Sequence, residues 1–339
     1  MTFHWDPTTL TQPRVKTVHH PILLLGSAVC CMLSANDCAY APLQHPVVPP
    51  QAIASDVRSY YDYPRSTHVA TKELQKEDRQ VRQWLVKFPL MTPGFEPTEP
   101  IVELEWFESK IPDRQAAIVF NPILGGDYPL ERGICRYLAH HGFHTALIHR
   151  KTLKISPDQP VEYLELLLRQ GVIRIRQVVD WMEQQDNVDP KRIGSFGISM
   201  GGIATIMAAA VEPRLKAHVA ALPGGSIADI LMSSKDSLLT KPLSKYLRVR
   251  QMDRQAFDDL LRKQIRTDPL QLAPYVDSSR LLLFIAVADR TIGRANSLRL
   301  WKALGKPELV LLPTGHYTAY LFLPYLKYES LRFFQNTLR

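Results

Sequence analysis

A serine set among glycines, Gly197-Ile198-Ser199-Met200-Gly201-Gly202, is the group in this sequence best suited to covalent chemistry. Residues 193–196 ahead of it form a short apolar run and residues 203–210 behind it have helical character, so the string reads as a strand entering a helix through a tight turn. Small residues two before and two after Ser199 are what such a turn demands, because neighbouring backbone passes too close for a Cβ. Its hydroxyl would project from the sheet edge, where the N-terminus of the following helix favours developing negative charge.

A serine hydroxyl is a weak nucleophile until a base takes its proton. Of the 11 histidines, His140, His141, His144 and His149 cluster around an expected helix end and strand, where solvated or core roles are the default. His316 differs. It stands in Thr314-Gly315-His316-Tyr317, after a strand expected at 308–312 and before the C-terminal helix, and Gly315 would let the loop bend the imidazole towards Ser199. A carboxylate must orient that ring. Asp289, in Ala288-Asp289-Arg290-Thr291, follows the preceding expected strand and so ends on the same sheet edge. Asp229, one strand earlier, is the rival acid.

From residue 101 onward, strand and helix patterns alternate, the mark of a mostly parallel sheet with helices on both faces. Strands are expected at 101–108, 116–120, 143–148, 193–196, 217–222, 281–287 and 308–312. Helices are expected at 128–141 and 161–182, the latter with Leu164, Leu168, Val172, Ile175 and Val179 on one face. Residues 227–275 break the alternation with about fifty largely helical residues, far beyond the roughly 2 to 6 of an ordinary connection. Such an insertion would form a lid or pocket wall beside the strand ends, with Ile230, Leu231, Leu238, Leu239, Phe257, Leu260 and Leu261 facing a ligand or the domain.

The N-terminus is of another kind. Arg14, Lys16, His19 and His20 precede fifteen uncharged residues from Pro21 to Ala35, which reads as a signal peptide or lipoprotein leader over residues 1–41. Ala39-Tyr40-Ala41 fits the small-x-small cleavage rule, although Pro42 follows it, and Cys30, Cys31 and Cys38 lack a good lipobox. Export, to periplasm, envelope or medium, is the expectation, with membrane association running through the N-terminus; a buried N-terminal helix in a cytoplasmic protein is the alternative. Only Cys135 lies in the body, which therefore holds no internal disulfide. Residues 42–66 look like a tether or wrapping arm, and the spacing of Val69, Leu74, Val81, Trp84 and Leu85 predicts a helix over 67–90, so residues 42–100 form an N-terminal arm and helix ahead of a domain at 101–339. Lys and Arg number 41 against 33 Asp and Glu, a net charge of +8, but the basic residues are interleaved with acids and no nucleic-acid groove is expected.

The order Ser199, Asp289, His316, together with Asn187-Val188-Asp189-Pro190-Lys191-Arg192 leading into the serine strand, resembles the α/β-hydrolase superfamily over residues 101–339. Thr267-Asp268-Pro269 and Ala273-Pro274-Tyr275 look like its esterases and dienelactone-hydrolase-like members. The resemblance implies an α/β fold with an eight-stranded, mostly parallel sheet, a helical lid, and a serine-dependent hydrolase cleaving a carboxylic ester, small or lipid-like, without metal or organic cofactor. Where such enzymes commonly carry His-Gly-Gly, this chain has Asn121-Pro122-Ile123-Leu124-Gly125-Gly126. Oxyanion donors are backbone amides, so Met200 supplies one and Ile123 or Leu124 the other, since Pro122 cannot donate. An acyltransferase on the same three residues, or a binding protein that keeps only the fold, are the competing readings.

Overall fold

Apolar runs that continue for five or six residues become strands buried on both faces. The computed structural model describes residues 39–65, 69–150 and 155–339. The basic and apolar stretch expected to be a leader, with Cys30, Cys31 and Cys38, lies outside the described residues. In chain order the strands are β1 (Ala39–Ala41), β2 (Thr71–Glu77), β3 (Val81–Pro89), β4 (Ile101–Ser109), β5 (Gln115–Asn121), β6 (His144–Ile148), β7 (Val188–Ile198), β8 (Leu215–Ala221), β9 (Leu281–Ala286) and β10 (Glu308–Leu312). The helices are α1 (Ser55–Tyr60), α2 (Pro129–His140), α3 (Val161–Glu183), α4 (Met200–Val211), α5 (Ile227–Ser233), α6 (Ser237–Val249), α7 (Arg254–Gln264), α8 (Pro269–Leu272), α9 (Arg294–Ala303) and α10 (Leu323–Thr337).

One sheet runs in the order β1-β10-β9-β8-β7-β5-β6-β4-β3-β2. From β10 to β6 every neighbouring pair is parallel, whereas β4, β3, β2 and β1 join antiparallel. Helices α3, α4 and α9 pack on one face, and α2 and α10 on the other. The sheet has ten strands where eight were expected. The additional ones sit at the two edges, where short or polar strands leave little apolar signal: β1 has three residues, and β2 is Thr-Lys-Glu-Leu-Gln-Lys-Glu, exposed throughout.

The helix expected over 67–90 is instead the β2–β3 hairpin. Its apparent three-and-four spacing joined residues that do not share a face. Val69 and Leu74 are exposed, and the buried residues are Val81, Val86 and Phe88. Pairing with β4, in unbroken register from Val81 opposite Ser109 to Pro89 opposite Ile101, overrides the local pattern. The sheet therefore begins well before residue 101. Residues 39–41, expected to be the end of the leader, pair with β10 and bury Ala41, so a cut after Ala41 would remove an edge strand. The arm at 42–65 does wrap the domain: Tyr60 donates to Glu165 (2.9 Å), Tyr61 to Thr267 (3.0 Å) and Tyr63 to Asp180 (2.6 Å).

The insertion at 227–275 is helical, as its composition implies. Asp236, Asp253 and Asp268 accept the amides of Leu238, Ala256 and Leu270 and so start α6, α7 and α8. Cys135 is buried and free. Among the described residues no helix is long and apolar enough to cross a membrane.

Burial sets one pH dependence. His218 on β8 is enclosed, with Nδ1 2.8 Å from Ser195 Oγ, and loss of hydration pushes its pKa down to about 3. Between about 6.5 and 3 the unfolded chain binds a proton that the folded chain refuses, so stability falls as pH falls through that window. The Tm is expected to drop on acidification below pH 6.5, and His218→Asn, which retains an acceptor for Ser195, should drop less over the same range in a thermal melt series.

Candidate active site

Strand β7 delivers Ser199 at its C-terminal end, and α4 starts at the next residue. Ser199 has φ 55° and ψ −118°, a left-handed value that a non-glycine residue holds only when its surroundings dictate it. They do. A Cβ on Gly197 would overlap the carbonyl of Gly201, and one on Gly201 would overlap the carbonyl of Asn121 at the end of β5. The Ser199 amide donates to the Ala221 carbonyl at 2.8 Å, which pins the turn to β8.

Three side chains from three strand ends meet there. Ser199 Oγ lies 2.9 Å from His316 Nε2, and His316 Nδ1 lies 2.7 Å from Asp289 Oδ2. Asp289 Oδ1 accepts the amides of Thr291 (2.8 Å) and Ile292 (2.9 Å), so each carboxylate oxygen has a donor. Burial works to raise the Asp289 pKa, but His316 and these amides outweigh it and hold the carboxyl below its ordinary value. An ionised Asp289 fixes the tautomer: Nδ1–H donates to it, leaving Nε2 to accept the Ser199 proton.

The loop carrying His316 is tied to the Asp289 loop by Ala288 N–H to Thr314 O (2.9 Å). Gly315 stands at the bend of this loop without a left-handed φ. Thr318 secures the turn, its Oγ1 accepting the Gly315 amide at 3.0 Å and the Thr314 hydroxyl at 2.6 Å. Asp229 is occupied elsewhere, bridging Arg262 (2.6 Å) and Arg299, with Ser226 Oγ donating at 3.1 Å. Among the other histidines, His144 joins Ser109 N–H to the Asn187 carbonyl, and His149 lies between Glu103 and Glu105.

A model of the prolyl oligopeptidase family (Peptidase_S9) matches residues 172–312, a stretch that includes Ser199 and Asp289. By structure, an acetyl xylan esterase from Paenibacillus sp. R4 is similar with a TM-score of 0.65 and 15% identity, over 84% of this chain and 92% of that one. Acetyl xylan esterase 1 from Thermoanaerobacterium sp. JW/SL YS485 gives 0.62 and 15%, over 83% and 96%. This is an α/β-hydrolase fold. The acylaminoacyl peptidase of Pyrococcus horikoshii shares it (TM-score 0.55, 16% identity), over 82% of this chain and 51% of that one. By sequence, the Uncharacterized protein Rv2627c of Mycobacterium tuberculosis is 28% identical over 150 residues; the match spans 43% of this chain and only 33% of that protein. The family match and the esterase neighbours support a serine hydrolase of the α/β-hydrolase fold.

In α/β-hydrolase terms, the Met200 amide is the first of α4 and has no partner within its helix, as an oxyanion donor requires. Ile123 is not free for that role: its amide donates to Glu131 Oε1 at 3.1 Å. Leu124, on the same cavity wall, is then the second-donor candidate. Arg150 Nη2 donates to the carbonyls of Pro122 (3.0 Å) and Ile123 (2.8 Å) and braces this loop from behind. The charge on neither Glu131 nor Arg150 marks it in the sequence.

Ser199 and His316 open into a cavity of about 600 Å³ whose lining is almost wholly apolar. Ile230, Leu231, Leu238 and Leu239 of the lid face it, while Phe257 and Leu261 are buried in the packing between lid and domain. Asp236, not singled out from the sequence, fastens the lid beside the site. It accepts the Thr291 hydroxyl (2.8 Å) and the Tyr317 hydroxyl while capping α6. Its one sequence signal was its position ahead of a helix, Asp236-Ser237.

Proposed function

We propose that the chain is a serine carboxylesterase acting on esters with an apolar acyl group. The observation that carries the reading is the continuous relay Ser199–His316–Asp289 opening into a large apolar cavity. Ser199 Oγ attacks the ester carbonyl carbon as His316 Nε2 takes its proton. The resulting oxyanion is received by the Met200 amide and a second amide, for which Leu124 is the candidate. Collapse breaks the bond to the alcohol oxygen, which leaves with the proton from His316. Water then attacks the acyl-enzyme, giving its proton to the same nitrogen, and Ser199 departs from the free acid with that proton returned. Asp289 stays ionised throughout and stabilises the imidazolium. Two specific observations favour a peptidase as the second reading: the prolyl oligopeptidase match and the acylaminoacyl peptidase neighbour.

The test is a panel of p-nitrophenyl esters of rising acyl length, run beside aminoacyl amides and a fluorophosphonate label. Ester turnover should exceed amide turnover, peak at acyl chains longer than acetyl, and vanish with labelling at Ser199. Faster amide cleavage would favour the peptidase, and an unlabelled Ser199 would favour a binding protein. Transfer to added alcohols in preference to water would identify an acyltransferase. Because Leu231 lines the cavity from the lid, Leu231→Trp should cut kcat/KM for the longest esters by about tenfold or more while sparing acetyl esters.

A further inference from the structure

A second cavity, of about 340 Å³, lies on the other side of Met200 and Leu168, the residues whose side chains line both. Its lining is more polar than that of the acyl cavity. Two guanidinium groups line it, Arg150 from the end of β6 and Arg174 from α3. Arg174 is only 4% exposed. Its Nη2 pairs with Glu99 Oε2 at 2.5 Å, while its Nε is buried and has no hydrogen-bond partner among the described residues. A buried guanidinium with a donor left unmet is costly, since each unpaired polar group forfeits its hydration for nothing. Arg150 has Nη2 engaged by the Pro122 and Ile123 carbonyls. Burial, and then the adjacent Arg174, push Arg150 down to about 10, still protonated at neutral pH. Two carboxylates line the same cavity: Glu99, paired with Arg174, and Asp158, which is exposed and accepts the Ser156 hydroxyl.

We infer that this cavity binds an oxyanion group, a carboxylate or a phosphate, held between the guanidinium groups of Arg174 and Arg150 that line it. A planar or tetrahedral anion fits the fork of donors that guanidinium groups present and relieves the repulsion between them. Because Arg150 also braces the Pro122–Ile123 backbone, an anion bound here would stiffen the loop that carries the candidate oxyanion donors.

The inference is independent of acyl chemistry and is tested by binding. The full chain is titrated calorimetrically with inorganic phosphate and, separately, with acetate, and both titrations are repeated on Ser199→Ala. Saturable binding of at least one anion with a Kd of about 1 mM or lower, unchanged in Ser199→Ala, is expected. Phosphate alone binding assigns a phosphate site, acetate alone a carboxylate site. Arg174→Gln should weaken binding about tenfold or more. Glu99→Gln should tighten it several-fold, because it removes the competing carboxylate; this variant keeps the inference falsifiable should Arg174→Gln unfold. No saturable binding of either anion, an unchanged Kd in folded Arg174→Gln, or weaker binding in Glu99→Gln would overturn it. Loss of esterase activity with anion binding intact would count against the proposed function and leave this site standing.

Discussion

Ser199→Ala is expected to reduce kcat on the best ester by about a millionfold, to a residue of catalysis supplied by binding and amide donors alone. His316→Ala should match it, since a hydroxyl without its base and a base without its hydroxyl are equally inert. Combining the two should cost little more than either, because the groups act as one unit. Asp289→Asn should lose about ten-thousandfold with little effect on folding. The amide preserves shape, but its NH2 group can donate to Nδ1 and so favour the wrong tautomer of His316, which sits 2.7 Å away. Burst and steady-state kinetics with p-nitrophenyl esters would read all four variants. If Asp229→Asn were the damaging change and Asp289→Asn harmless, the assignment of the acid would be wrong; the salt bridges of Asp229 to Arg262 and Arg299 predict instead a loss confined to stability.

Gly201→Ala is the second large effect. One methyl group would have to occupy space held by the carbonyls of Asn121 and Pro122, backbone atoms of the loop that supports Ile123 and Leu124. Relief requires α4 to back away from the end of β5, which displaces the Met200 amide and that loop together. A stability loss of about 3 kcal/mol or more is expected from overpacking against backbone. Folded enzyme should lose a further 100-fold or so in kcat, comparable to removing one oxyanion donor. Urea unfolding measures the first and active-site titration followed by turnover the second. A fully active, normally stable Gly201→Ala protein would mean that the turn is looser than its dihedrals require.

These effects concern the part of the molecule most legible in its sequence. Gly197, Ser199 and Gly201 announce a steric requirement that no other arrangement satisfies, and the apolar runs at 116–120 and 281–286 have one reading because burial on both faces leaves no polar positions. The β2–β3 hairpin was not legible, because its stability comes from pairing with β4 and its own outer strand is polar. Nor was β1, whose three residues gain their place from β10, about 270 residues later. The engagement of the Ile123 amide by Glu131 was hidden for a similar reason: local order along the chain says which amides exist, not which carboxylate reaches them first.

The fastening of the lid has a bearing on how turnover is timed. Lys235 N–H bonds to the Arg290 carbonyl (2.9 Å), and Asp236 holds Thr291 and Tyr317, the residues flanking Asp289 and His316. A cover sewn to the hinge of its own machinery cannot swing wide without disarming it. Leu238, Tyr317 and Tyr320 line the cavity and are exposed, so they mark the side on which it meets solvent while the fastening beside it stays in place.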